Sequence, residues 1–152
     1  MLPRLAAVLL CLPAFPAAGR AAAAPGAPIV VAPARTSIYI GRITLTMPPF
    51  VRQDGTYTAT YSARVFPYFF YSETGRMWID VSDDDLRRLA GGAPVDFTGH
   101  GRSDDGDERR IAGRATPADA VSGKIKVRVF VSKRIELVFN TTYRFAPPAG
   151  RP

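Results

Sequence analysis

His100 is the only histidine in the chain, so it is the first residue to test for acid–base, triad or zinc chemistry. Val95, Phe97 and Gly99 share one parity, and His100 falls on the other with Asp96 and Thr98. That pattern predicts a solvent-side position near a strand end. No Gly-x-Ser-x-Gly elbow and no His-Glu-x-x-His helix accompanies it. Asp104, Asp105, Asp107 and Glu108 place four carboxylates around Gly106. Clustered oxygens on a loop suit calcium, but the spacing is not that of a full calcium loop. A solvated Asp-Gly turn accounts for the same residues. Asp80, Asp83, Asp84 and Asp85 lie near Trp78, where a carboxylate pair would serve glycoside cleavage. Three of them are equally explained as the acidic first turn of a helix. No catalytic residue, metal ligand or cofactor is therefore expected, and a glycan-active enzyme ranks third among the functional readings.

The aromatic residues point elsewhere. Phe66, Tyr68, Phe69, Phe70 and Tyr71 crowd a short stretch, with Trp78 following. A two-residue turn at Thr74-Gly75 would make a hairpin of residues 69–72 and 77–81, with Tyr71 opposite Trp78 and Phe70 opposite Ile79. Tyr68, Phe70, Met77, Ile79 and Val81 would then share one face, and Phe69, Tyr71, Trp78 and Asp80 the other. An open patch of Phe69, Tyr71 and Trp78 would be a binding surface. A cavity lined by Tyr61, Phe70, Trp78 or Phe139 would suit an apolar ligand. The candidate binding residues are thus Phe69, Tyr71, Trp78, Tyr61 and Phe70.

Period-two patterns dominate the elements that must hold these residues, the signal of half-buried strands. Tyr57, Ala59, Tyr61, Ala63 and Val65 alternate with polar residues, and Asp54-Gly55 before them is a tight-turn signal. Ile38 and Ile40 alternate, then Ile43, Leu45 and Met47 on the opposite parity, which suggests a bulge at Gly41-Arg42. Ser82 followed by three aspartates, Leu86, Leu89 and Gly91 predicts one helix over 82–91. Strands resume at 95–99 and 109–114. Ile125, Val127, Val129 and Val131 form one apolar row; Ile135, Leu137, Phe139, Tyr143 and Phe145 form another, with Thr141 inside it. Both rows reach the core only if Val131 opposes Ile135 across a three-residue loop, which sets Arg128 against Val138 and Lys126 against Asn140. The fold class is all-β: a single antiparallel meander of seven to nine strands closing as a small barrel, with a two-sheet sandwich as the alternative. The stretch 95–113, a strand, an acidic Gly turn and a strand ending in Gly, resembles part of the exported bacterial YceI-like barrels. That resemblance implies a barrel holding an isoprenoid lipid.

The first 24 residues bound the setting. Arg4, an apolar run over 5–15 and small residues over 17–24 read as a secretory signal. The run is too short to span a bilayer, which takes roughly 20 residues as a helix. The expected product is exported, periplasmic or extracellular, and not transmembrane. Cys11, the only cysteine, lies in that signal, so the mature chain is expected to be cysteine-free. Loss of Arg4 and Arg20 lowers the charge from +7 to +5. Residues 25–35 read as a Pro/Ala-rich tether or extended edge segment, 36–146 as the β domain and 147–152 as a disordered tail. Lys124, Lys126 and Arg128 read as a solvated basic face, so nucleic acid is not expected as a partner. The Asn140-Thr141-Thr142 sequon falls mid-strand. The leading expectation is a non-catalytic binding module for an apolar small molecule or for an envelope protein or glycan. The alternative is an assembly component of the envelope that acts through edge strands.

Overall fold

The computed structural model describes residues 26–39 and 41–147. The stretch expected to be a secretory signal, with Cys11, residue Ile40 and the tail beyond 147 lie outside the described residues. Ten strands form one antiparallel sheet: β1 (Ile29–Val31), β2 (Ala34–Ile38), β3 (Gly41–Thr46), β4 (Val51–Gln53), β5 (Thr56–Phe66), β6 (Glu73–Asp80), β7 (Val95–Ser103), β8 (Glu108–Pro117), β9 (Ser122–Phe130) and β10 (Glu136–Phe145). Among the described residues one α-helix, α1 (Asp83–Ala90), joins β6 to β7.

The sheet order runs β1-β10-β9-β8-β7-β6-β5-β3-β2, so the path begins and ends in one stretch of chain. β1 pairs with β10, and β2, two residues further on, pairs with β3. Ile29 also exchanges both backbone hydrogen bonds with Phe50, at 3.0 and 2.8 Å, while it opposes Phe145. The sheet therefore curls until its two edges come together along residues 29–38: backbone hydrogen bonds cross at Ile29–Phe50 and Ala32–Thr142, while β2 packs beside β10 without a ladder between them. β1 and β2 lie end to end, as do β3 and β4 beside β5. The all-β meander is as expected, in one sheet rather than a two-sheet sandwich. The Pro/Ala-rich stretch is no free tether: Ala34 is 2% exposed, and residues 29–35 take part in the seam. Pro33 interrupts the ladder between β1 and β2 because it has no amide proton to donate.

Inward rows are those predicted by parity. Tyr57, Ala59, Tyr61 and Val65 of β5 are buried, as are Met77, Ile111 and Phe139. Large inward side chains lie opposite glycines. Tyr61 faces Gly75, Phe97 faces Gly113 and Tyr143 faces Gly123. A Cβ on Gly113 would stand 2.3 Å from Phe97 Cζ, so the missing side chain is what lets the ring lie flat across the strand.

The turns follow local chemistry. Asp54 (φ 48°) and Gly55 (φ 84°) make the tight β4–β5 turn that the Asp-Gly pair predicts. The parity change falls between β2 and β3, which pair with Ile38 opposite Gly41, and not at a bulge. Val131 donates to the Ile135 carbonyl at 3.0 Å, and Arg128–Val138 and Lys126–Asn140 pair as derived. The helix is capped by Ser82, whose Oγ accepts from the Asp85 amide at 3.1 Å. Leu86 and Leu89 turn into the barrel, and Arg52 pins the helix start by ion-pairing with Asp83 at 2.6 Å and donating to the Val81 carbonyl at 2.9 Å. Among the described residues no helix is long and apolar enough to cross a membrane.

Candidate functional site: the aromatic loop at the open end

Strand direction sorts the connections into two ends. One end carries α1, the 118–121 turn and the N-terminal segment before β1. The other carries the β2–β3, β5–β6, β7–β8 and β9–β10 connections. Leu89, Val95, Tyr143 and Phe145 pack tightly at the first end, so α1 closes it. The candidate site is at the second.

The β5–β6 connection is where sequence and structure part. Residues 69–72 do not form a strand, and Thr74-Gly75 is not a turn. Glu73–Asp80 is one continuous strand, paired with β5 so that Trp78 opposes Thr58 and Tyr61 opposes Gly75. Phe69–Tyr71 is a single 3-10 turn instead. Pro67 explains the break: it cannot donate to a ladder, so β5 ends at Phe66 and the chain turns out of the sheet. The result is an aromatic loop facing outward. Phe66, Tyr68, Phe69, Phe70 and Tyr71 are 39–75% exposed. They touch mainly one another: Phe66 meets Phe69 edge-on at 5.7 Å, Tyr68 meets Phe70 edge-on at 5.8 Å, and Phe70 lies 4.5 Å from Tyr71. Tyr39, fully exposed at the neighbouring β2–β3 turn, extends the patch.

The five candidate residues thus separate into three environments. Phe69, Phe70 and Tyr71 form the loop, with Phe70 exposed rather than core-facing as expected. Trp78 lies on the outer wall, half-buried, stacked on His100 at 4.9 Å and 16°. His100 faces outward as its parity indicates. The same outward row continues to Arg110, whose guanidinium sits 4.2 Å over the Phe130 ring. Tyr61 points inward. Its hydroxyl donates to Glu73 Oε1 at 2.8 Å, and Arg109 donates to Glu73 Oε2 at 2.9 Å and to Asp107 at 3.1 Å. Burial raises the Tyr61 pKa well above the usual phenol value, and Glu73 raises it further. For Arg109, burial alone would lower the pKa, but Glu73 and Asp107 outweigh it and raise the value. This polar knot ties β5, β6 and β8 just beneath the loop. The expected turn at Thr74-Gly75 would take Glu73 out of a strand, so the sequence alone does not point to the knot.

Inside the barrel lies a cavity of about 100 Å³. Its lining is aliphatic and aromatic apart from Thr141, whose hydroxyl is turned to the Ala32 carbonyl at 2.8 Å; the Tyr57 hydroxyl is likewise engaged, by the Ala27 carbonyl. Trp78 and Phe70 do not line it; Tyr57, Met77, Phe97 and Phe139 do. The acidic β7–β8 turn is committed to structure: Asp104 accepts from the Thr74 hydroxyl at 2.5 Å, and Asp107 from Arg109. Among the described residues no three His, Cys, Asp or Glu side chains converge as a metal would need. No family model, curated protein or solved structure matches the chain, and no comparison supports the resemblance of 95–113 to YceI-like barrels.

Proposed function

We propose that this chain is an exported, non-catalytic binding module that engages an envelope partner through its 66–71 aromatic loop. The observation that supports this reading is the exposure of five neighbouring aromatic side chains, with Phe70 at 75% and Phe69 at 63%. Apolar rings left mostly in water contribute little to folding, and contiguous patches of this kind mark interaction surfaces. The scaffold argues the same way. The loop is seated on a β5–β6 pair locked by the Tyr61–Glu73–Arg109 knot, so the rings are presented from a rigid base. The alternative role, assembly through edge strands, is left only the short β2 border and the part of β10 facing it, where no ladder forms.

The test is sedimentation with envelope fragments of the cells that make the protein. The Phe69→Ser/Phe70→Ser variant is expected to keep its unfolding midpoint, because both rings are mostly exposed, and to lose envelope association at least tenfold. Undiminished association by the folded variant would overturn the reading. A second reading rests on the interior cavity. Its apolar lining suits a small guest, although pockets for drug-sized ligands run to about 300 Å³ and more. Native mass spectrometry of the protein from its source would reveal a retained ligand; a ligand-free mass would sink that second reading.

A further inference from the structure

From the charge distribution around the loop, we infer that its partner is an anionic lipid surface, into which the aromatic rings insert while neighbouring arginines meet the phosphates. This inference rests on the aromatic loop being the docking site. β2, β3 and β5, on one side of the loop, contain Arg35, Arg42 and Arg64 and no carboxylate, while on the other side β6 opens with Glu73, whose charge is taken up by Arg109. All three arginines are exposed, and none forms an ion pair among the described residues. Their register places them at the loop. Arg42 is directly opposite Phe66, and Arg64 and Arg35 both oppose Thr44, one outward position lower. At about 3.4 Å per strand residue, that second level lies roughly 7 Å below Phe66. Amphipathic surfaces bury their apolar side about 5–10 Å into the headgroup–acyl boundary. Rings at the tip and guanidinium groups one step down match that depth, and aromatic side chains favour the same interfacial zone.

The charge asymmetry also sets an orientation. Lys133 and Arg134 lie in the exposed β9–β10 turn on the other side of β2, extending the cationic side at the same end. The carboxylates of 104–108 lie beyond β6, where Asp104 and Asp107 are already engaged by Thr74 and Arg109. Docking with the β2–β3–β5 side toward the lipid keeps that acidic turn away from anionic headgroups. A protein or glycan partner would explain the rings, but it gives no reason for an unpaired arginine belt at headgroup depth.

The experiment uses protein recovered from the cells that make it and vesicles of phosphatidylcholine alone or with one-third phosphatidylglycerol. A Phe70→Trp/Trp78→Phe variant moves the only tryptophan to the loop tip. Anionic vesicles are expected to shift its emission to the blue, with quenching by brominated acyl chains, and to bind at least tenfold more tightly than neutral ones. At roughly fivefold per basic residue near the surface, Arg42→Gln/Arg64→Gln is expected to remove that preference while keeping the fold. Equal binding to both vesicles, or an unchanged preference in the arginine variant, overturns the inference. No vesicle binding alongside loop-dependent envelope sedimentation also overturns it, in favour of a protein or glycan partner, and leaves the docking loop standing. Envelope binding that ignores the loop fails the docking reading itself.

Discussion

Replacing Arg109 by methionine removes the cation from the knot below the loop and keeps most of the side-chain volume. Arg109 and Glu73 side chains are 13% and 24% exposed, so the pair is largely withdrawn from water. Breaking a fully buried pair costs about 3–5 kcal/mol, because one charge is left without its partner. Glu73 keeps the Tyr61 hydrogen bond and a quarter of its exposure, which brings the expected loss down to about 2 kcal/mol. In a domain of this size that lowers the melting temperature by about 6–10 °C. Glu73→Gln alone leaves Arg109 with Asp107 and is expected to cost about 1 kcal/mol. The double variant Glu73→Gln/Arg109→Met removes both charges and keeps an acceptor for Tyr61, so it should be no worse than Arg109→Met alone. Urea denaturation of the four proteins, with slopes checked for constancy, gives the cycle. A loss below about 0.5 kcal/mol for Arg109→Met, or simple additivity in the double variant, would refute the claim that the knot is a coupled buried unit.

Gly113→Ala should cost about 1–3 kcal/mol by overpacking, since the new Cβ meets Phe97 Cζ at 2.3 Å. Phe97→Leu in the same chain should recover part of that loss in a thermal melt, and absence of rescue would point to a backbone cause. The pKa values of Tyr57, Tyr61 and Tyr143 are all raised, with burial the largest cause for each. A raised folded pKa means the native state holds its phenolic protons longer than the unfolded chain. The contribution of these phenols to stability is therefore expected to be level below about pH 10, the unfolded phenol value, and to fall above it; a melting temperature constant from pH 9 to pH 12 would contradict this. Trp78→Ala should cost about 2 kcal/mol, less than the roughly 3–5 kcal/mol of a fully buried tryptophan, because its ring is only partly buried, on the outer wall against His100. A larger loss in urea denaturation would show that the ring belongs to the core.

The parts legible in the sequence were those with one physical solution. The β9–β10 register followed because only a three-residue loop turns both apolar rows inward. The helix followed from Ser82, its aspartates and Gly91. The loop was not legible by alternation, since both parities of 66–71 are aromatic and period two has no contrast there. Pro67 was the usable signal, and it outweighs the Thr74-Gly75 pair that suggests a turn. Gly75 is instead a gap for the Tyr61 ring. The Glu73–Arg109 contact joins residues 36 apart in sequence and exists only once the strands between them are in place. The arginine belt was invisible for the same reason: Arg35, Arg42 and Arg64 become neighbours through cross-strand pairing alone.

The seam at residues 29–38 dictates an order of events during synthesis. This segment leaves the ribosome long before its partner β10, yet Ile29 must end opposite Phe145. Until the last strand emerges, the growing sheet has two unpaired borders, and the earliest strand has half its ladder missing. Contacts so distant along the chain form slowly, and open borders in the meantime invite other chains. A nascent chain stalled before β10 would be an adhesive half-cylinder, so for this barrel the last ten residues of the wall decide whether the first ones are protected.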